Sequence, residues 1–451
     1  MQSHRDLFQA HRLMTQRASL ALLRGEPDLP DQPLRRLNVA AFTGVLVAVI
    51  VTALFLIWGL LGHGGSPVAN QPGTLIIDKQ TGQTYVFCQR GKLCPVVNYA
   101  SARLALQASA VTQQAVNQAA LAKFARGPLI GIPGLPQPLP EAGLLIRQPW
   151  SVCTQTRIGL SGTQTTTTLA GGIQAGGSPL GGRALLATAL GQDWVIWDAQ
   201  RMLIQPDMIT ALATAQQPVP VPPAWLDALP QGPAFAPPPI PGQGRLVTGP
   251  TGVPARVGQA YQVAVAGGTH YYVMLAGGLA QITQTQETLL TFAPGAPRVA
   301  TLISSQVTGH TSASVVAGGG LPATVPAVAA PGPSAPWCVV YAGAGRQLAR
   351  QVETGGQLPP GGTPTGLAAG VGQVALPPGA GALVGVAPGG TISYFLVAGG
   401  RRYALASTEV AGMLGYSLSQ AVLLPAGVVD LIPAGPVLDP AQATKTVPPG
   451  G

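Results

Sequence analysis

Charge is what this sequence has least of. Asp, Glu, Lys and Arg make up 9% of its 451 residues, against roughly 25% in ordinary soluble proteins. Only four lysines occur, Lys79, Lys92, Lys123 and Lys445, so arginine carries most of the excess of 24 bases over 15 acids. The bases form no dense cluster along the sequence, which argues against nucleic acid as a partner. Aromatic residues are scarce at 5%, so a core must be mainly aliphatic. Gly (60) and Pro (45) are abundant. Disorder of the whole chain is nevertheless excluded, because it requires low hydrophobicity and 47% of the residues are hydrophobic. The length suits about two to four domains.

Catalytic motifs are missing too. A P-loop needs G-x-x-x-x-G-K-[ST] so that lysine reaches the β/γ-phosphates and a hydroxyl holds Mg²⁺. The one Gly-Lys pair, Gly91-Lys92, is followed by Leu93, and Val86 stands where the first Gly belongs. Gly370-Val-Gly372-Gln-Val-Ala375 imitates a dinucleotide fingerprint, but Leu376-Pro-Pro follows with no helix start to hold a pyrophosphate. It reads as a loop. No G-x-S-x-G elbow occurs. His63, His270 and His310 are the histidines beyond residue 61, and their spacing to the cysteines does not suit zinc. No catalytic residue, cofactor or metal is expected. A structural or binding protein is.

What is present begins with Val39–Leu61, 23 residues without a charge. As a helix this run measures roughly 35 Å, enough for a hydrocarbon core of about 30 Å. Arg35 and Arg36 precede it, and the next charge after it is Asp78. That asymmetry predicts a single span with a cytoplasmic N-terminus and an extracytoplasmic C-terminal part. A signal peptide would have a shorter apolar core and small residues at a cleavage site. Upstream, Leu7, Met14, Ala18 and Ala21 share one helical face among four arginines. Such a helix suits anionic headgroups or a cytoplasmic partner.

Residues 62–451 contain a recurrent hairpin. Its copies start at Gly82-Gln-Thr-Tyr85, Gly191-Gln-Asp-Trp194, Gly268-Thr-His-Tyr271 and Gly390-Thr-Ile-Ser-Tyr394. Gln89–Lys92 and Ala398–Arg401 read as hairpin turns, and Ala100–Leu106 and Thr408–Leu414 as short helices. Cys153 lies 71 residues after Gly82 and Cys338 lies 70 after Gly268, each just behind a Trp. Leu226-Asp-Ala-Leu-Pro-Gln-Gly-Pro-Ala-Phe235 is answered by Val429-Asp-Leu-Ile-Pro-Ala-Gly-Pro-Val-Leu438. The economical reading is two homologous halves about a pseudo-two-fold axis. Residues 218–241, with ten prolines, read as a stiff connector. Gly318–Pro336 and Gly355–Pro378 read as surface loops or partly disordered segments.

All four cysteines lie beyond the apolar run, as disulfides in an oxidising compartment require. Three connectivities are open. Cys88 and Cys94 flank a turn closely enough to clip it. Cys153 and Cys338 hold equivalent places that a two-fold axis could bring together.

Several segments together resemble EccB, a membrane core component of actinobacterial type VII (ESX) secretion systems. They are the Arg-rich first helix and single span, Asn98-Tyr-Ala-Ser101-Ala-Arg103, Gly131-Ile-Pro-Gly134, Trp150-Ser-Val-Cys153, Leu229-Pro-Gln-Gly-Pro233, Pro336-Trp-Cys338 and Gly435-Pro-Val-Leu438. The resemblance implies one transmembrane helix and an α+β, β-rich extracytoplasmic domain. In that domain four hairpin-containing repeat modules surround a central β domain with pseudo-two-fold symmetry. The expected layout is a cytoplasmic helix in 1–37, a span at 38–61 and an outer domain at 62–451. Modules are expected at about 72–128, 183–215, 258–310 and 386–425, with the central domain from about 129–182 and 311–385. Cys153 and Cys338 match the family's central disulfide, whereas Cys88 and Cys94 stand outside its pattern. Implied partners are an EccC-like motor ATPase, EccD-like and EccE-like subunits, a mycosin protease, the lipid bilayer and further copies of the chain. Members are sometimes catalogued as ATPases, a label these residues do not support. A cell-wall-binding repeat protein is the alternative.

Overall fold

The computed structural model describes residues 4–24, 33–61, 71, 73–88, 91–159, 162–316, 318–359, 362–364 and 372–448. Contacts divide the chain into two units, Met1–Val68 and Ala69–Gly451. The first holds two helices, α1 (His4–Arg24) and α2 (Pro33–Leu61). Proline suits the start of α2, where its missing N–H has no partner to lose. The helix therefore begins ahead of the uncharged run and includes the Arg35-Arg36 pair. On α1, Leu7 and Met14 of the expected apolar face are exposed.

The second unit is built from β-sheets, and four of them share one plan. Sheet I comprises Thr74–Asp78, Thr84–Phe87, Leu93–Pro95 and Thr112–Val116. Sheet II comprises Leu185–Ala189, Gln192–Trp197, Gln200–Ile204 and Val219–Pro220. Sheet III comprises Ala260–Val265, Gly268–Leu275, Gly278–Ile282 and Ala300–Leu302. Sheet IV comprises Gly381–Val386, Ser393–Ala398, Arg401–Ala404 and Val422–Leu423. In each, the strand order is third, second, first, fourth. The first three strands form an antiparallel meander and the fourth runs parallel to the first. A parallel partner demands a crossover, and a helix supplies it: Tyr99–Leu106, Pro206–Leu212, Gln284–Phe292 or Glu409–Met413. A second short helix follows the fourth strand, at Gln118–Leu121, Pro223–Asp227, Ser304–Val307 or Ala426–Asp430. The chain then returns along the third strand. Leu93, Arg201, Leu279 and Arg402 each donate backward and accept forward across this return, the acceptors being Ala125, Pro230, His310 and Pro433 and the donors Gly127, Gly232, Ser312 and Gly435.

A seven-stranded mixed sheet lies between them in sequence. Its middle strands are Trp150–Gly159 and Trp337–Ala342, antiparallel neighbours with Cys153 opposite Cys338. Gly162–Gly171 and Ala349–Thr354 flank them. Its core face holds Trp150, Trp337, Val339 and Tyr341 against Trp225, Leu229, Val428 and Ile432. The helix Tyr99–Leu106 packs on Glu409–Met413, Gln284–Phe292 on Pro206–Leu212, and Pro223–Asp227 on Ala426–Asp430. At the last seam a Cβ on Gly427 would lie 2.5 Å from the Asp227 carbonyl, so only glycine lets these helices approach.

Two proline-rich readings need correction. Residues 218–241 are no free connector. They hold the fourth strand of sheet II and the helix Pro223–Asp227, with Trp225 fully buried. Proline is tolerated there because Val219–Pro220 is an edge strand and Pro223 sits in the first turn of its helix. Within Gly355–Pro378, Gln373–Ala375 is a buried strand paired parallel with Thr168–Ala170. The preceding Gly370-Val371, like Gln89-Arg90 of the first turn, lies outside the described residues. In Gly318–Pro336, Leu321, Val325 and Val328 pack against the core of sheet II rather than standing free.

Candidate anchoring and assembly site

Arg36–Trp58 is a 23-residue stretch of α2 with mean hydropathy 2.7 and none of it buried. Phe42, Phe55 and Trp58 are all exposed. A helix that is apolar all round and covered by nothing has the length and composition to cross a bilayer. Arg36 is exposed beside it, while the Arg35 side chain lies outside the described residues.

The cysteines come together in two pairs. Cys153 Sγ and Cys338 Sγ are 2.10 Å apart, with Cα atoms at 4.0 Å. Cys88 Sγ and Cys94 Sγ are 2.00 Å apart across the first hairpin. The Cys153–Cys338 pair sits on the face of the central sheet opposite the tryptophans, among Ala170, Ala175, Val340 and Ala375. Glu353, next to Cys338 in register, is 4% exposed. Its carboxylate accepts from the Gly177 N–H at 2.9 Å and from Gln351 Nε2 at 2.5 Å. A Cβ on Gly176 (φ +111°) would lie 2.1 Å from that carboxylate. Glu353 therefore holds Gly176-Gly177 close against the strand pair, where only glycine fits. On the core face, the Tyr341 hydroxyl donates to the Ala228 carbonyl, and Trp225 meets Trp337 edge-on at 5.9 Å. Burial pushes the Tyr341 phenol well above its ordinary pKa, partly offset by Arg350.

The shared Asp-x-Leu/Ile-Pro-x-Gly-Pro motif has a physical role in both halves. Arg201 pairs with Asp227 at 2.6 Å, and Arg402 pairs with Asp430. The same guanidinium groups lie over Trp194 at 5.4 Å and Phe395 at 5.6 Å. Each Asp thus ties its short helix to the third strand of its own sheet. Sequence reasoning missed the two arginines. Their signal was a common spacing, each seven residues after its aromatic partner.

The motif segments around residue 98 also meet. Asn98 Oδ1 accepts from the Ser101 N–H at 2.7 Å and caps the helix, while its Nδ2 donates to the Ile132 carbonyl at 2.8 Å. The Ile132 N–H donates to Ser101 Oγ at 2.9 Å. Arg103 Nε donates to the Met413 carbonyl at 2.7 Å. Asn98-Tyr-Ala-Ser101 and Gly131-Ile-Pro-Gly134 are two sides of one clasp.

Two cavities of the second unit gather no groups suited to catalysis. One of about 850 Å³ is walled by Gly134–Pro140, Leu376–Ala380 and the Gly399-Gly400 turn, with Arg401 as its one charged side chain. A shallower one of about 380 Å³ holds the exposed His270 beside Gln281 and Gln284, with no carboxylate. Among the described residues no three His, Cys, Asp or Glu side chains are placed to hold a metal.

Comparison with known proteins decides the family. The family model for the type VII secretion system ESX-1 transport TM domain B, EccB, matches residues 2–448. The chain belongs to this family. It is 31% identical to the ESX-2 secretion system ATPase EccB2 of Mycobacterium tuberculosis over 316 residues, 66% of this chain and 62% of that protein. It is 30% identical to the ESX-3 secretion system ATPase EccB3 of Mycolicibacterium smegmatis over 273 residues, 57% of this chain and 51% of that protein. The chain thus spans less than two thirds of the length of these EccB relatives. An intact ESX-5 inner membrane complex contains a chain of the same fold, with a TM-score of 0.67 at 24% identity, covering 99% of this chain and 97% of that one. The EccB3 dimer from an ESX-3 core complex gives 0.68 at 24% identity, covering 82% and 99%.

Proposed function

We propose that this chain is a structural core subunit of a type VII secretion membrane complex. The observation that carries the reading is a family match over nearly the whole chain, joined to a fold shared with a subunit of an ESX-5 inner membrane complex. In this reading α2 spans the inner membrane, residues 1–37 are cytoplasmic, and 62–451 stand on the extracytoplasmic side. The Arg35-Arg36 pair ahead of the span supports that orientation. Partners would be an EccC-like motor ATPase, EccD-like and EccE-like subunits, a mycosin protease and other copies of the chain.

The outer domain is further proposed to be a duplication within a duplication. Its modules lie at about 72–128, 183–215, 258–310 and 386–425, grouped around a central domain from 129–182 and 311–385. The common strand order supports this. So does the contact pattern: exchanging sheet I with III and II with IV turns the I–IV helix seam into the II–III seam. The same exchange leaves the Pro223–Asp227/Ala426–Asp430 contact and the Cys153–Cys338 pair on the axis. Both cysteine pairs are proposed as disulfides, as an oxidising compartment would make them.

The relatives carry the word ATPase in their names. For this chain we propose no hydrolytic role, because Lys92, in its only Gly-Lys pair, lies between Gly91 and the strand Leu93–Pro95 and no helix follows it directly. Purification of the tagged full chain in mild detergent tests both points. Motor and membrane subunits should come with it, and ATP hydrolysis should follow the motor subunit when that subunit is stripped away. Isolation without partners, or hydrolysis retained by the lone chain and lost on a single substitution in it, overturns the reading.

A further inference from the structure

Between Asp78 and Glu141 the chain has six bases and no acid: Lys79, Arg90, Lys92, Arg103, Lys123 and Arg126. Spread along the sequence they form no cluster, but the fold gathers three of them. The register of sheet I sets Ile76 opposite Tyr85 and Ile77 opposite Thr84. Thr74, where the chain arrives from α2, therefore shares one end of the sheet with Phe87. Phe87 is opposite Leu93, and Leu93 bridges to Arg126. Lys92 and Arg126 thus stand at this leading end, with Lys123 three residues before Arg126 in the turn that follows Gln118–Leu121. All three are exposed.

Aromatic groups accompany them. Arg126 lies over the Tyr85 ring at 4.7 Å. Phe87 and Phe124 meet edge-on at 5.4 Å, both only half-buried, and Leu129 is 41% exposed. The module's one acid, Asp78, feels the Arg126 charge, but its own hydrogen bonds hold it away from Lys92 and Lys123. Asp78 closes the first strand at the opposite end, where its carboxylate accepts from the Gln80 N–H at 2.9 Å and the Thr81 hydroxyl at 2.8 Å. Arg103 is turned to Met413.

Twelve residues separate Leu61 from Thr74, a tether of roughly 45 Å when fully extended. The leading end of sheet I is thus the first part of the second unit to follow α2 along the chain, within tether reach of the surface that α2 would enter. Bases interleaved with aromatic and aliphatic side chains match the chemistry of a lipid interface, with charge for phosphate and apolar bodies for the acyl boundary.

We propose that the leading end of sheet I docks on anionic phospholipid headgroups of the membrane crossed by α2. Lys92, Lys123 and Arg126 supply the charge, and Phe124 and Leu129 the apolar contact. This rests on α2 spanning a bilayer. If that reading fails, the full chain will not enter nanodiscs at all, which separates the two failures.

The test uses the full chain in nanodiscs of phosphatidylcholine alone or rich in phosphatidylglycerol. Labelling by a water-soluble amine reagent is read lysine by lysine. In the anionic discs Lys92 and Lys123 should label about fivefold more slowly, the effect of one surface-bound charge, while Lys79 at the far end should not change. Raised salt should abolish the difference. Arg126→Gln should shrink it at both lysines and Arg126→Lys should keep it, with an unchanged melting temperature showing that the variants fold. Equal labelling in the two discs, an equal slowing at Lys79, or slowing seen only when a partner protein or nucleic acid is added would overturn the proposal.

Discussion

Two phenols show how single residues set limits on this fold. Tyr341 donates to the Ala228 carbonyl, and Tyr416 donates to the Pro140 carbonyl at 2.7 Å. Burial raises both above the ordinary tyrosine pKa, with Arg350 and Arg103 respectively opposing the shift. A raised pKa in the folded state means that the neutral form is favoured there. The associated stability is complete below the unfolded value of about 10 and is lost as pH rises beyond it. Alkaline titration followed by phenolate absorbance should therefore leave two of the nine tyrosines un-ionised until the protein unfolds. Tyr341→Phe should remove one of the two and cost about 1 kcal/mol through the lost hydrogen bond. Titration of all tyrosines before any loss of near-UV dichroism would contradict this.

At the scale of elements, the two cysteine pairs differ in what they close. The Cys153–Cys338 link spans 185 residues and Cys88–Cys94 only six. Chain entropy gives upper figures of about 5 and about 2 kcal/mol. Cys153→Ser should thus lower the melting temperature markedly more than Cys88→Ser, as calorimetry under oxidising conditions would measure; equal drops would count against it. Legibility in the sequence also varied by element. Each expected hairpin corresponds to the second and third strands of a four-stranded sheet, because those strands are contiguous and marked by an aromatic after a glycine. Three of the four first strands, such as Gly381–Val386, carry no aromatic; Ala260–Val265 alone has one, Tyr261. The fourth strands shrink to two residues in Val219–Pro220 and Val422–Leu423 and pair across a helix, so nothing local announces them. The half-to-half motif was readable as a pattern, but its partners, Arg201 and Arg402, were visible only once the strands were folded beside it. The basic tip of sheet I was hidden for the same reason: Lys92 and Arg126 become neighbours only through the return segment.

The whole molecule poses the question of sidedness. Arg35 and Arg36 ahead of α2, with no charge between Val39 and Leu61, lead to the expectation that residues 62–451 resist protease added to inverted membrane vesicles and are cut in spheroplasts. The reverse pattern would refute the orientation. Across the second unit, the last described strand contact returns to the segment that directly follows the return along sheet I. Gly131 N–H donates to the Lys445 carbonyl at 3.2 Å, and Val447 N–H donates to the Leu129 carbonyl at 2.9 Å. Thr74 of sheet I and Val447 are therefore linked through Leu129–Gly131. A pull between them is carried through sheet I and this short pairing and bypasses the central sheet. The 185-residue loop closed by Cys153 and Cys338 lies off that path, and a load between these two points would first meet the Lys445–Val447 pairing and the packing of Pro440–Ala443 on Tyr99–Leu106.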